Sequence, residues 1–268
     1  MATRFTLGNR TLLVDFAHPH SLAPLLELGT PSWFGAPAAS SQPLQVGAFR
    51  GAVAAGGSCN CGVLTLAPHC HGTHTECVGH LTVERLDAAS VAPHTFVPAL
   101  LVTVPPERAS ESREGSDPPP HAEDALITRR LLEAAWPSEL PFAPRALIVR
   151  TLPNSPEKRS PTGALPPFLT REAGLWLVER GIEHAVLDVP SADRLDDAGQ
   201  LTAHRIFFGL PPGSHALALA TRAGCTLTEL AYIDDSVRDG TYLLSLQLPA
   251  LPGDAVPSRP VLYAARAL

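Results

Sequence analysis

Short apolar runs separated by turn residues dominate the hydrophobic pattern of this chain. Such runs, bounded by Gly, Pro, Asn or Ser, are typical of strands. The predicted strands cover residues 5–7, 11–16, 63–67, 100–104, 146–150, 183–189, 242–248 and 261–265. Gly8 and Asn9 separate the first two runs and predict a hairpin between them.

Helices are fewer than strands in this pattern. Thr128 is expected to cap a short helix that Pro137 ends, and Thr170 to open the longest helix, which Gly181 closes. A strand precedes this second helix and another follows it, which predicts a βαβ unit. No period of about 20 to 50 residues repeats, so solenoids and propellers are excluded.

Length and composition favour a single globular domain. The chain has 268 residues, of which 45% are hydrophobic, and we expect one domain over residues 1–268. Residues 105–124 are polar, rich in proline and without periodicity, which predicts a mobile surface loop.

Charge and the first residues exclude several classes of partner. The net charge is -6 and no basic stripe is present, so we expect no nucleic acid. The first ten residues lack the apolar core of a signal peptide, and no apolar run is long enough to span a bilayer. We therefore expect a cytoplasmic protein that acts on a small molecule away from membranes.

One segment carries most of the candidate chemistry. Cys70, His74, Glu76 and His80 fall within eleven residues. If the segment is extended, side chains alternate between its faces, and these four lie on the same one. Thiolate, imidazole and carboxylate together suit a divalent cation, and the cysteine favours Zn²⁺, with Mn²⁺ as the second choice.

The remaining residues of this segment leave alternatives open. His69 and His71 would lie on the opposite face, in supporting or surface positions. The spacing matches neither paired CxxC motifs nor HExxH on a helix, which favours a strand or loop site with an open coordination position and therefore hydrolysis. The competing interpretation is a polar strand without metal.

The segment resembles the HxGTHxDxPxH signature of the cyclase-like metal-dependent hydrolases, a group that includes bacterial kynurenine formamidase (arylformamidase) and isatin hydrolase. The resemblance extends over almost the whole chain. Residues 14–19 resemble the D-L-S-H-P segment of that family, residues 187–193 its D-x-P-S-x-D stretch, residues 201–204 its later histidine and residues 226–230 its glutamate-bearing segment.

The resemblance implies an α/β protein of the swivelling β/β/α type with a β-barrel-like core and few helices. It also implies a homodimer or homotetramer. It assigns one or two metal ions to the signature residues and to Glu229, and makes His204 the group that transfers protons. The metal ligands implied in this way are Cys70, His74, Glu76, His80 and Glu229.

Three positions depart from the signature. Cys70 replaces its first His, Glu76 its Asp and Val78 its Pro. The alternative for Glu229 is a carboxylate on a helix surface, and for His204 a polar residue held in a loop.

The predicted function is hydrolysis of a C–N bond in a small formamide, amide or cyclic amide. A first alternative is a lactone hydrolase, or a cyclase or dehydratase, on the same fold. A second alternative is a non-catalytic metal- or redox-binding protein, because four of the five cysteines crowd around the histidines. These are Cys59, Cys61, Cys70 and Cys77.

Overall fold

The computed structural model describes residues 3–8, 10–161 and 163–268. In this part of the chain, strands outnumber α-helices. The strands are β1 (Thr3–Leu7), β2 (Arg10–Val14), β3 (His20–Ser21), β4 (Ser40–Pro43), β5 (Gln45–Val46), β6 (Phe49–Arg50), β7 (Gly62–Thr65), β8 (His74–Glu76), β9 (Val97–Val104), β10 (Glu107–Arg108), β11 (Ala125–Ile127), β12 (Ala146–Thr151), β13 (Phe168–Leu169), β14 (His184–Leu187), β15 (Thr226–Glu229), β16 (Gly240–Ser245), β17 (Ala255–Pro257) and β18 (Val261–Ala267). The helices are α1 (Ala88–Val91), α2 (Arg129–Ala135), α3 (Arg171–Glu179) and α4 (Thr202–Phe208).

Eleven strands form one mixed sheet in the order β1-β2-β18-β16-β9-β12-β14-β15-β8-β17, with β3 paired to β18. The four strands β9, β12, β14 and β15 are parallel, and the strands on either side of them are antiparallel. Within the described residues, β1 pairs only with β2 and β17 only with β8, so the sheet is open. The β-barrel-like core that the resemblance implies is therefore not confirmed.

The predicted βαβ unit is confirmed as β12, α3 and β14. The two strands are parallel, with Ala146 opposite His184. Thr170 caps α3 by accepting a hydrogen bond from the Ala173 amide, and Gly181 follows the helix with a φ of 70°. Thr128 caps α2 in the same way, as the sequence predicts.

The hydrophobic core covers both faces of the parallel strands, which explains their unbroken apolar runs. Along β9, Leu100 and Val102 pack beneath α2, α3 and α4. Ala99 and Leu101 point to the other face and pack against a second cluster. Trp176 is fully buried in the helical layer. The parallel strands are therefore packed on both faces.

The segment predicted to be a mobile loop, residues 105–124, is structured along part of its length. It contains β10 and a 3₁₀ turn over Ala109–Glu111. The Glu114 carboxylate accepts hydrogen bonds from the backbone amides of Arg129 and Arg130. These amides lie at the start of α2, where a helix has unpaired donors. Glu114 also accepts a bond from the Thr170 hydroxyl, and thus links the starts of α2 and α3.

The end of the sheet brings distant parts of the chain together. Strand β8 lies between β15 and β17 and is antiparallel to both. Its register places His74 directly opposite Glu229. Among the described residues, no helix combines the length and apolarity needed to cross a membrane.

His184 makes the stability of this fold sensitive to pH. Its ring lies buried in β14 with Nδ1 2.9 Å from the Thr226 hydroxyl, and burial lowers its pKa from 6.5 to about 4. Between these two values the unfolded chain binds a proton that the folded chain rejects. Stability is therefore complete above about pH 6.5 and falls as the pH drops toward 4.

We expect the stability lost through His184 between pH 7.5 and pH 5 to be about 2 kcal/mol. Urea unfolding of the wild type and of His184→Asn, which keeps a polar group near Thr226, measures it. The stability difference between the two proteins should shrink by that amount at the lower pH. An unchanged difference would show that His184 does not titrate in this range.

Candidate metal centre

The segment that carries the candidate ligands is not one continuous strand, so the condition under which the four residues would share one face is not met. Only β8 is extended. A 3₁₀ turn covers Pro68–Cys70 and another covers Val78–Leu81. Gly72, between the first turn and β8, has a φ of 73°, a conformation that favours glycine. The chain therefore bends on both sides of β8, and alternation does not decide which side chains meet.

A first set of donor atoms comes from His69, His74 and Glu76, whose ligand atoms lie within 4.8 Å of one another. His69 Nδ1 is 3.0 Å from Glu76 Oε2. The rings of His69 and His74 are 5.3 Å apart between centroids. Two imidazole nitrogens and a carboxylate oxygen thus converge on one point.

A second set adjoins the first and comes from Glu76, His204 and Glu229. His204 Nε2 lies 2.9 Å from Glu76 Oε1 and 3.4 Å from Glu229 Oε1. His74 Nε2 lies 3.4 Å from Glu229 Oε2. Glu76 therefore belongs to both sets and turns one carboxylate oxygen toward each.

Three atoms of these sets are buried without a hydrogen-bond partner. They are His74 Nε2 and the two oxygens of Glu76. The oxygens lie near imidazole nitrogens but without hydrogen-bond geometry, because all the groups point toward shared centres. An unpaired buried polar atom costs about 1 to 3 kcal/mol. Donor sets of this kind fit one or two divalent cations, which would bind these atoms.

The orientation of His74 supports this interpretation. Its Nδ1 lies 3.1 Å from the Gly72 carbonyl, to which the ring N–H donates. That bond leaves the lone pair of Nε2 directed toward the Glu229 carboxylate. Metal-binding histidines are commonly held in this manner by a bond from the other ring nitrogen.

Asp193 holds His204 in the same way. Its Oδ2 lies 2.7 Å from His204 Nδ1, and its two oxygens accept the backbone amides of Ala203 and His204. These bonds tie the D-x-P-S-x-D stretch to the first turn of α4. The Glu229 carboxylate is fixed nearby by the Ala192 amide at 2.7 Å. The result is that His204 Nε2 faces the two glutamates.

The charges of the cluster compensate one another. Burial alone would raise the pKa of Glu76, but the neighbouring His80 and His204 hold it well below its usual value. Burial alone would lower the pKa of His204, but Glu76 and Asp193 raise it well above its usual value. Burial also opposes the charged form of His69, yet contacts with Asp254 and Glu76 raise its pKa to about 10. In the metal-free protein, protons on His69 and His204 thus balance the carboxylates, and a cation must displace them.

Cys70 lies outside these sets. It lines a cavity of about 440 Å³ together with Trp33, Gly72 and Leu230, and within the described residues it shares no donor group with another candidate ligand. Burial raises the pKa of its thiol, which disfavours the thiolate that binds metals. The remaining donor atoms are nitrogen and oxygen. Without a thiolate among them, the cluster no longer favours Zn²⁺ over Mn²⁺.

The other predicted site residues lie at or beside the cluster. Glu229 ends β15 and is buried, so the helix-surface alternative is excluded. His204 is buried on α4 and is not in a loop. His80 forms a third set with His69 and Asp254 at the edge of the cluster.

Sequence reasoning missed His69, Asp193 and Asp254 in their observed roles. For His69 the only signal was its place beside Cys70, and for Asp193 its place in the D-x-P-S-x-D stretch. The structure pairs the Asp188 carboxylate with Thr151 and Lys158, where it joins the ends of β12 and β14. Asp254 is far from the motif in sequence, and no pattern pointed to it.

An open mixed sheet with helices on one face and a buried histidine–glutamate cluster at its end define an α/β protein with a candidate metal centre. A model of the family described as "Putative cyclase" matches residues 14–194, which is more than half of the chain. The protein belongs to this cyclase family. No curated protein matches the chain.

Solved structures share the fold. A protein described as a potential metal-dependent hydrolase with cyclase activity is 14% identical, with a TM-score of 0.59 over 92% of this chain and 98% of that one. Isatin hydrolase A from Labrenzia aggregata is 14% identical, with a TM-score of 0.58 over 93% and 94% of the two chains. A predicted metal-dependent hydrolase from Bacillus stearothermophilus is 15% identical, with a TM-score of 0.57 over 92% and 98%.

Substitutions at the adjacent residues 69 and 70 test which of the two is a metal ligand beside His74. We expect Cys70→Ser to keep the full metal content of the wild type, because the thiol lies outside the converging atoms. His69→Ala should lose metal, because it removes a nitrogen that faces Glu76. Elemental analysis of the purified proteins measures both. The reverse pattern would return Cys70 to the ligand set.

Replacing Glu76 tests whether one carboxylate serves both sets. We expect Glu76→Gln to weaken metal binding by at least about 100-fold, since the loss of a group that supports a ligand from outside already costs about 10- to 100-fold. Competition with a chromophoric chelator measures the affinity. Glu179→Gln, at an exposed ion pair with Arg129, is the matched control and should bind as the wild type does. Unchanged binding by Glu76→Gln would contradict the shared-carboxylate geometry.

Proposed function

We propose that this protein is a metal-dependent hydrolase that cleaves a C–N bond in a small formamide, amide or cyclic amide. The observation that carries the proposal is the Glu76 carboxylate, which is buried with both oxygens unpaired between two sets of nitrogen and oxygen donors. Membership of the cyclase family and the likeness in fold to proteins described as metal-dependent hydrolases and isatin hydrolases support it.

The proposed ligands follow from the two donor sets. His69, His74 and Glu76 hold one divalent cation, and Glu76, His204 and Glu229 hold a second. A cation bound there would lower the pKa of a water molecule and polarise a carbonyl group, which are two of the requirements of amide hydrolysis. The third is a proton for the leaving nitrogen, which the activated water molecule itself releases. The dry surroundings strengthen the electrostatic interactions of the site.

His204 is assigned to the metal and not to proton transfer. Its Nδ1 is engaged by Asp193 and its Nε2 faces two carboxylates, so neither ring nitrogen is directed at a separate substrate atom. Asp193 fixes which nitrogen carries the proton, and the ring cannot turn without breaking that bond. The proton-transfer role implied by the family resemblance is the alternative.

We assign the substrate to the cavity beside the cluster. Both apolar and polar side chains line the cavity, and Glu157 and Arg159 are among the polar ones. None of the donor residues lines it directly, but Gly72 and Leu230 do, and these are close in sequence to His74 and Glu229. The Thr73 hydroxyl donates to the Leu230 carbonyl at 2.7 Å and joins the two walls. A small ring with an adjacent carbonyl suits a pocket of this size and character. The apolar wall residues are Pro24, Leu25, Leu26, Pro31, Trp33, Pro156 and Leu230.

The redox-binding alternative has little support in the geometry. It depends on cysteines that share a centre with the histidines. Cys77 is buried with its thiol 3.3 Å from the Leu86 carbonyl, and burial raises its pKa to about 11. Cys59 and Cys61 lie in the part of the chain around β5 to β7, and no described cysteine belongs to a donor set. A lactone hydrolase would use the same metal centre, so only assays with both substrate classes distinguish it from an amide hydrolase.

The test is turnover by protein stripped with a chelator and then reloaded with Zn²⁺ or Mn²⁺. We expect the stripped protein to be inactive and the reloaded protein to hydrolyse an N-formyl aromatic amine or a cyclic amide such as isatin faster than a simple lactone. Absorbance of the released product measures the rate. The proposal fails if the reloaded protein cleaves no member of a broad amide and ester panel.

The same assay resolves the role of His204. His204→Gln should lose both activity and metal if the ring is a ligand. A variant that keeps the full metal content and loses only activity would assign proton transfer to His204. Glu179→Gln again serves as the control for both readouts, because its carboxylate is exposed and belongs to no donor set of the described residues.

A further inference from the structure

A third set of donors lies at the solvent side of the cluster. It consists of His69, His80 and Asp254, whose ligand atoms lie within 4.8 Å of one another. His69 Nε2 is 2.8 Å from Asp254 Oδ2, and His80 Nδ1 is 3.2 Å from the same oxygen. The three side chains are 27%, 30% and 39% exposed, whereas those of His74 and Glu76 are fully buried.

We propose that this set is a separate cation site, in which His69 Nε2, His80 Nδ1 and an Asp254 oxygen bind a divalent ion at the mouth of the buried centre. Two imidazole nitrogens and one carboxylate oxygen suit a borderline ion such as Zn²⁺. Three protein ligands on a half-exposed surface leave coordination positions open to water or to a small anion.

The backbone holds Asp254 in place for this role. The Cys77 amide donates to the Asp254 carbonyl at 3.0 Å, and the Gly253 amide donates to Asp87 Oδ1 at 2.8 Å. These bonds fix the turn before β17 against the segment that carries His80. Among the described residues, the ion-pair partners of the Asp254 carboxylate are the two histidines alone. Its charge is therefore directed at their nitrogens.

The two rings are arranged to present nitrogens on one side. Their centroids are 4.2 Å apart and their planes are inclined by 34°, so the rings stack and both nitrogens face the same carboxylate oxygen. Without an ion, ring N–H groups bond to Asp254. When an ion binds, each donating nitrogen gives up its proton to solvent and its lone pair binds the cation.

This site goes beyond the proposed function but shares one ring with it. His69 turns Nδ1 toward Glu76 and Nε2 toward Asp254, so it offers one nitrogen to the buried centre and the other to the outer site. Both positions are filled together only when the ring has released both of its protons. The outer ion is also the more accessible to chelators, because its ligands are partly exposed.

The experiment counts the ions bound by intact protein. Metal-free protein is titrated with Zn²⁺ against a chromophoric chelator, and elemental analysis follows dialysis. His80→Phe keeps an aromatic ring beside His69 and removes both nitrogens of His80. We expect it to bind one equivalent fewer than the wild type. The matched control is His94→Phe, an exposed histidine outside every donor set of the described residues, which should bind as the wild type does.

Asp254→Asn provides a second variant in case His80→Phe folds poorly. It should lose the same equivalent. The proposal is overturned if both variants bind as many ions as the wild type. It is also overturned if Asp254→Asn keeps the number of ions and only weakens the buried ones by about 10- to 100-fold, because Asp254 would then merely orient His69.

The count also separates this proposal from the hydrolase proposal. If the wild type binds a single ion and His80→Phe binds none, the result supports the outer site and contradicts the buried metal centre. If the wild type binds ions that both variants retain in full, the buried centre stands and the outer site fails. Thermal unfolding of each variant establishes that it is folded before its ions are counted.

Discussion

The burial of the Glu76 carboxylate is the constraint on which the rest of this structure depends. A carboxylate in a dry interior is costly unless charge or hydrogen bonds compensate it. Here neither oxygen has a hydrogen-bond partner, and compensation comes from histidine rings on either side. This arrangement stabilises the fold weakly by itself, because unpaired lone pairs remain. It is far better suited to cations, which satisfy several such atoms at once.

The fold delivers the compensating groups from separate parts of the chain. The antiparallel register of β8 and β15 places His74 across from Glu229. Helix α4 brings His204 over the same end of the sheet, and the bond from His204 to Asp193 ties it to the segment after β14. The half-buried Lys158 pairs with the buried Asp188 at the neighbouring strand ends, with 2.5 Å between Nζ and Oδ2. His74, Glu229 and His204 are therefore each held by a strand of the sheet or by a helix packed on it.

Much of the fold was predictable because its signals are local. The caps at Thr128 and Thr170 and the glycine at 181 are short-range signals, and the structure confirms all three. The parallel strands of the core were recognisable as apolar runs for the same reason. Closure of the sheet was not predictable in this way, because it depends on whether β1 and β17 meet, which no local pattern encodes.

The site was predictable in part. His74, Glu76, His204 and Glu229 were found by sequence and do converge. Alternation of side chains between two faces placed Cys70, and not His69, beside His74. Alternation holds only for an extended backbone, and the backbone before β8 is not extended. Pro68 begins a 3₁₀ turn and Gly72 takes a left-handed conformation, so the chain rotates between them. That rotation turns His69 toward Glu76 and leaves Cys70 at the cavity wall.

Cys70 occupies the position of the first histidine of the signature, but His69, one residue earlier, directs a ring nitrogen toward Glu76. A nitrogen donor therefore still reaches Glu76. The position of a ligand atom is set by the turn that carries it, and within a 3₁₀ turn neighbouring side chains point about 120° apart. A donor one residue earlier can therefore reach the same centre if the turn is rotated to match. The cost is that His69 lies nearer the surface than the buried His74. Its second nitrogen consequently faces Asp254, and the donors of this cluster continue from the core to the solvent.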